Sequence, residues 1–99
     1  MFVAALTLDV LLGDVHSLKA KRAVVRPLVA ELRRRHPGVA VAETGHLDLH
    51  RRAGVGVGVV ASTRARVVEV LDAVEDYVAG RPELDLVAAR RGLRTSDDG

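Results

Sequence analysis

The stretch MFVAALTLDVLLGDVHSLKAKR, residues 1–22, decides the fold, because a strand pattern ends within it and a helix pattern begins. Phe2 and every second residue after it to Leu12 are apolar, whereas the other face carries Thr7 and Asp9, as expected for a half-buried strand, β1. Residues 13–16 have the composition of a turn. Ser17 then supplies a capping hydroxyl, and an apolar stripe at helical spacing continues to about Arg35. The sequence therefore predicts a strand followed by a helix, α1.

The remaining chain continues this alternation of strands and helices. The predicted elements are strands β2 at residues 39–49 and β3 at 53–61, helix α2 from a Ser62 or Thr63 cap to about residue 79, and strand β4 at 83–89. Residues 50–52 are expected to join β2 and β3 as a hairpin. The last residues are polar, which predicts a single domain at 1–90 and a flexible tail at 91–99.

The order βαββαβ is that of the ferredoxin-like folds. It predicts an α+β domain with a four-stranded antiparallel sheet and two helices on one face. Right-handed crossovers are expected to place β1 and β3 side by side and parallel in the centre, with β2 and β4 outside. In that arrangement both helices begin at the same edge of the molecule.

Cations occupy the first turn of both helices, where unpaired N–H groups already carry partial positive charge. An exposed cation there costs about 0.3 to 1 kcal/mol, which indicates a bound anion such as phosphate. The alternative is that the side-chain stems cover apolar surface while their charged heads stay in water. The predicted anion-binding or nucleic-acid-binding edge comprises Ser17, Lys19, Lys21, Arg22 and Arg26 of α1, Thr63, Arg64 and Arg66 of α2, and Arg51 and Arg52 as a second basic point.

The basic pattern continues along α1 as a ridge. At 100° per residue, the ridge residues lie within about a quarter-turn of one another and span about 20 Å. They are Lys19, Arg22, Arg26 and Arg33, and α2 carries carboxylates at Glu69, Asp72, Glu75 and Asp76. Cross-helix ion pairs are the plainest interpretation, whereas an outward-facing ridge would follow a phosphate backbone.

Three residues near the predicted hairpin raise a metal-binding alternative. His46, Asp48 and His50 alternate along the predicted β2, and this ligand set suits zinc. A polar hairpin end is the plainer interpretation, so no metal and no cofactor are predicted. Glu43 with a nearby histidine lacks an accompanying nucleophile or cofactor loop, so no catalytic residue is predicted and a protein that is not an enzyme is favoured.

Composition limits the possible functions of this 99-residue chain. It contains no cysteine, which excludes disulfides and thiolate metal sites and fits a cytoplasmic location. No stretch reaches the ~18 apolar residues of a membrane helix, so no membrane partner is expected. Phe2 and Tyr77 are its two aromatic residues, too few for a platform that stacks single-stranded RNA.

Several short motifs along the chain together resemble those of one protein family. They are SLKAKR at residues 17–22, PL at 27–28, VAE at 41–43 with His46, DL at 48–49, and RA at 52–53 before a Val/Gly strand. The chain thereby resembles the YlxP-like family of uncharacterised bacterial proteins over residues 1 to about 90, although His50 stands where that family usually has Trp. The resemblance implies a ferredoxin-like fold, a bacterial cytoplasmic location and, from the usual gene neighbourhood, a role near RNA or the ribosome. It implies no established activity.

Two functions are therefore expected as alternatives. The first is a non-enzymatic accessory protein that binds RNA or a ribosomal particle through the basic edge. The second is a protein-interaction or self-association module, such as a homo-oligomer, that uses the open sheet face or an edge strand. Gly54, Gly56 and Gly58 share one face of β3, and because they have no side chains a partner could approach the sheet closely there.

Overall fold

The computed structural model describes residues 1–96. Its elements are β1 (Phe2–Leu12), α1 (Leu18–Arg35), β2 (Val39–Gly45), β3 (Arg52–Ala61), α2 (Arg64–Ala79) and β4 (Leu84–Thr95). The strands form one antiparallel sheet in the order β2-β3-β1-β4, and both helices pack on one face. The predicted α+β, ferredoxin-like βαββαβ fold class is confirmed. None of the helices in residues 1–96 is both long and apolar enough to cross a membrane.

The core forms where the alternating strand pattern meets the helical stripes. Leu6, Leu8 and Val10 of β1 are almost completely buried, whereas the residues between them face away from the helices. Leu32 of α1 and Val74 of α2 are fully buried against the same sheet face. Side chains return to the same face every two residues in a strand and about every 3.6 residues in a helix. The apolar faces that result meet in a single layer between the sheet and the helices.

The central strands β1 and β3 run antiparallel, so the prediction that they are parallel is wrong. Phe2 pairs with Ala61 at one end of the ladder and Leu11 pairs with Arg52 at the other. The right-handed crossover through α1 relates β1 to β2, and the hairpin then reverses the chain into β3. As a result, α1 begins at the end where Leu11 and Arg52 lie, called the hairpin end, and α2 begins at the opposite end.

The strand β2 ends four residues earlier than predicted. Gly45 lies opposite Gly54 at an irregularity of the ladder, and His46 adopts a left-handed backbone with φ 57°. A Cβ on Gly54 would lie 2.9 Å from the backbone nitrogen of Gly45, so this close approach requires glycine. Residues 46–51 therefore form the β2–β3 loop, and the predicted alternation of His46, Asp48 and His50 along a strand is lost.

The strand β4 is longer than predicted and continues to Thr95. Its ladder with β1 extends from Leu12 opposite Leu84 to Phe2 opposite Thr95, so the expected tail is wrong for residues 91–95. The long edge of β1 offers backbone partners whatever the polarity of the β4 side chains. Arg91 also contacts two carboxylates of α2. Residues 97–99 of the predicted tail lie outside the described residues.

Candidate nucleic-acid interface

The two helix N-termini do not form a common anion site. Ser17 Oγ accepts a hydrogen bond from the Ala20 nitrogen at 3.0 Å, and Thr63 Oγ1 accepts one from the Arg66 nitrogen at 3.2 Å, so both predicted caps are present. Because β1 and β3 are antiparallel, however, these caps lie at opposite ends of the sheet. The predicted convergence of Thr63, Arg64 and Arg66 with the α1 cations is therefore wrong.

Lys21 is a structural residue of the hairpin end rather than an exposed cation. Its side chain is 3% exposed, and Nζ donates to the His46 carbonyl at 2.7 Å. The same nitrogen lies 2.9 Å from Glu43 Oε2, although the angles of that contact make it an ion pair without a hydrogen bond. Lys21 thus fixes the start of the β2–β3 loop against α1.

The other cations of α1 form an exposed ridge that faces away from α2. Lys19, Arg22 and Arg26 are exposed and have no ion pair within residues 1–96. Arg33 is also exposed, and its Nη2 donates to the Val41 carbonyl at 2.6 Å on the edge strand β2. The ridge therefore lies above the β2 side of the sheet, and within residues 1–96 none of its four cations forms an ion pair with a carboxylate.

The expected ion pairs between the helices do not form in the described residues. Arg91 of β4 contacts Asp72 at 2.8 Å and Glu75 at 3.1 Å, and Arg66 contacts Glu69 within α2 at 2.7 Å. The α1 face nearest α2 instead carries Glu31 and Arg35. Glu31 is paired with arginines of its own helix, and the hydrogen bond from Arg34, the main cause, lowers the Glu31 pKa to about 2.

The β2–β3 loop lies beside the first turn of α1. Leu47 and Arg22 border the same cavity of about 160 Å³, whose other lining residues are Leu18, Lys21 and Glu43. Arg51 secures the far side of the loop, because its Nε donates to the Gly13 carbonyl at 3.0 Å. The side chains of Leu47 and Leu49 remain 61% and 49% exposed.

The sequence pattern does not reveal the exposed leucines, because it predicts that residues 46–49 belong to β2. In a strand, Leu47 and Leu49 would share a face with the core residues Val39 and Val41. The available signal is Gly45 within the predicted strand, because glycine inside a strand pattern often marks a bulge or a bend.

Arg52 and His46 both approach one carboxylate at the hairpin end. Arg52 donates two hydrogen bonds to Asp9, and His46 Nε2 lies 3.4 Å from Asp9 Oδ1. The hydrogen bond from Arg52 is the main cause of a lowered Asp9 pKa. Residues 1–96 contain no cluster of three or more histidine, cysteine or acidic residues arranged to hold a metal, so the spacing of His46, Asp48 and His50 does not produce one.

The open sheet face is shallow and lined by small side chains. Ala5, Ala42 and Gly58 border a depression of about 430 Å³. A Cβ on Gly58 would meet nothing within 4 Å, whereas the space above Gly56 is filled by the Thr44 side chain. Of the three glycines on this face of β3, Gly58 therefore borders the open depression, whereas Gly56 is covered by Thr44.

Comparisons with known proteins support the fold and identify a family. No curated protein matches the chain. A solution NMR structure of the de novo designed protein LFR1 1, which has a ferredoxin fold, is similar with a TM-score of 0.53 and 15% sequence identity, over 98% of this chain and 88% of that chain. At this identity the similarity supports the fold alone. Residues 3–91 match the family described as "Protein of unknown function (DUF503)", and the chain therefore belongs to the DUF503 family.

Proposed function

We propose that the protein is a non-enzymatic accessory protein that binds RNA through the outward ridge of α1. The observation that carries the proposal is a row of exposed cations without carboxylate partners in the described residues, although the sequence contains 13 acidic residues. Lysine and arginine side chains bind phosphate oxygens and supply most of the affinity for a nucleic-acid backbone. The resemblance to the YlxP-like family implies the same class of partner.

The charge of the helical layer is asymmetric, which supports binding on one side only. Glu69, Asp72 and Asp76 are exposed on the solvent side of α2, whereas the α1 ridge is basic. Glu69 and Asp72 are paired with Arg66 and Arg91, but α1 has seven basic residues and one acidic residue, whereas α2 has two basic and four acidic residues, so a polyanion is attracted to the α1 side of the layer. The proposed site thus depends on one helix face, and the cations at the start of α2 are not part of it.

The salt dependence of RNA binding tests this proposal. The probe is a fluorescently labelled RNA hairpin, and its anisotropy gives Kd at several salt concentrations. Arg26→Ala is expected to weaken binding and to reduce the slope of log Kd against log salt by about one. The matched control is Arg90→Ala, because Arg90 is exposed and unpaired in the described residues but lies on the open sheet face, opposite its neighbour Arg91.

Two outcomes would overturn the proposal. The first is an absence of binding at a low salt concentration of about 50 mM, where electrostatic contacts are strongest. The second is an equal loss of affinity in Arg26→Ala and Arg90→Ala, which would indicate a general attraction of a basic protein rather than a defined ridge.

A further inference from the structure

We infer that the RNA bound by the ridge is an A-form duplex, and that the β2–β3 loop enters its minor groove while α1 contacts the flanking phosphates. The inference rests on the proposed function, because it specifies the form of RNA that the same site accepts. It also gives a role to the exposed leucines of the loop, which the ridge does not explain.

The aromatic residues of the chain do not provide a surface for single-stranded RNA. Unpaired bases are commonly bound by stacking on aromatic rings. Phe2 is half-buried and packs against the core. The ring centroid of Tyr77 already has the guanidinium carbons of Arg35 and Arg81 at 4.3 and 5.5 Å. Recognition must therefore depend on the backbone and shape of the RNA.

One helix holds the Cα atoms of the ridge cations in a row, which suits an ordered row of phosphates. At ~1.5 Å per residue, Arg22 lies about 4.5 Å along the axis from Lys19, Arg26 about 6 Å further, and Arg33 about 10.5 Å beyond that. These positions are fixed by one helix. A duplex presents phosphates that are already ordered, whereas a single strand would lose conformational entropy to match the row.

The β2–β3 loop is held in place before any partner binds. Lys21 and Arg51 each donate to a backbone carbonyl, and within the loop the Leu49 nitrogen donates to the His46 carbonyl at 3.1 Å. Such contacts lower the entropy that the loop would lose on binding. The loop thus presents the exposed side chains of Leu47 and Leu49, with the exposed Asp48 between them in sequence, beside the first cations of the ridge.

The chemistry of the loop fits a wide, shallow groove bordered by phosphates. Leu47 shares a cavity with Arg22, so an apolar contact and a phosphate contact lie side by side. Leucine is one of the residues that minor-groove proteins insert against bases. The A-form minor groove is wide and shallow, whereas that of B-DNA is only about 6 Å wide. An acidic protein would also contact leucines and cations, but Glu31, the one carboxylate of α1, lies on the face nearest α2, so the ridge carries cations alone, which favours a continuous polyanionic backbone.

Three probes of one sequence test the inference, each about 18 nucleotides or base pairs long, near the length that double-stranded RNA-binding domains cover. They are an RNA duplex, one of its single strands and the corresponding DNA duplex, and Kd is measured for each by anisotropy. The RNA duplex is expected to bind about tenfold more tightly than either of the others. The double variant Leu47→Ala, Leu49→Ala is expected to reduce that preference without changing the salt slope. Val60→Ala is its control, since Val60 is 59% exposed at the opposite end of the sheet.

Failure of the inference can be distinguished from failure of the proposed function. If none of the three probes binds at low salt, the proposed function is wrong. If the single strand binds as tightly as the duplex and Arg26→Ala weakens both, the ridge binds RNA but the duplex inference is overturned. If the leucine variant keeps the full preference for duplex RNA, the assignment of the loop to the groove is overturned, and a protein partner for the loop is indicated.

Discussion

Replacing Lys21 by alanine is expected to destabilise the fold, because this cation is buried rather than available to an anion. Its ammonium group lies 2.9 Å from Glu43 Oε2 and donates to the His46 carbonyl at 2.7 Å. The sequence alone assigned Lys21 to an exposed binding edge, and an exposed cation in a first helical turn would be slightly unfavourable to the fold. The two interpretations therefore predict opposite changes in the free energy of unfolding.

The magnitude follows from the groups that Lys21→Ala removes or leaves without a partner. Three buried methylenes contribute about 2.4 kcal/mol. A hydrogen bond from a charged donor contributes about 1.5 to 3 kcal/mol, and relief of the buried ammonium offsets part of this loss. Breaking a buried ion pair typically costs about 3 to 5 kcal/mol. The Glu43 side chain is still 26% exposed, so we expect the lower end of that range, about 3 kcal/mol.

Urea unfolding followed by circular dichroism measures this change. Lys19→Ala is the matched control, because Lys19 is an exposed cation on the same helix and should alter stability by less than about 0.5 kcal/mol. Lys21→Met combined with Glu43→Gln should recover much of the loss, since it removes both charges and retains most of the volume. A stability of Lys21→Ala equal to that of Lys19→Ala would refute the structural role of Lys21.

Further predictions concern the sheet and its ends. Gly54→Ala should destabilise the fold by about 1 to 3 kcal/mol, because the added Cβ would meet the backbone of the neighbouring strand. Gly58→Ala should stabilise it by about 0.4 to 1 kcal/mol, because the Cβ added there would lie in open space. Equal urea midpoints for the two variants would contradict this contrast. Because Arg52 lowers the Asp9 pKa, ionised Asp9 stabilises the fold above its ordinary pKa of 3.8, and this contribution is lost as the pH falls through the lowered value. Arg52→Ala should therefore shift the acid-unfolding midpoint to higher pH, and an unchanged midpoint would argue against the pair. Removal of residues 91–99 should lower the free energy of unfolding, measured in urea, by at least about 2 kcal/mol, since it deletes hydrogen bonds of the β1–β4 ladder. If the shortened chain were as stable as the full-length chain, the end of β4 would be dispensable.

Local physics made much of the fold predictable from the sequence. The strand pattern of β1, the caps at Ser17 and Thr63, and the helix ends near Arg35 and residue 79 are all present. Each depends on residues close together in the chain, such as a hydroxyl three positions before the N–H group that it accepts from. The element order was therefore sufficient to predict the ferredoxin-like class.

The candidate site was less predictable because it depends on the direction of a central strand. The helix starts were expected to converge, but the antiparallel pairing of β1 and β3 separates them by the length of the sheet. Burial of Lys21 also follows from a contact 22 residues away, with Glu43, which no local pattern reveals. The exposure of the α1 ridge follows from the orientation of the helix, which places Glu31 and Arg35 toward α2 and Arg33 over β2, and no local pattern reveals this orientation.

The most direct test of ridge binding is the salt slope of a triple variant, Lys19→Ala with Arg22→Ala and Arg26→Ala, on duplex RNA. All three side chains are exposed, so the unfolding midpoint should stay close to that of the original protein and a change in binding would not reflect unfolding. At about 0.9 counterions released per phosphate contact, the slope of log Kd against log salt should fall by about 2.7. An unchanged slope in the folded variant would contradict the assignment of the ridge to RNA phosphates.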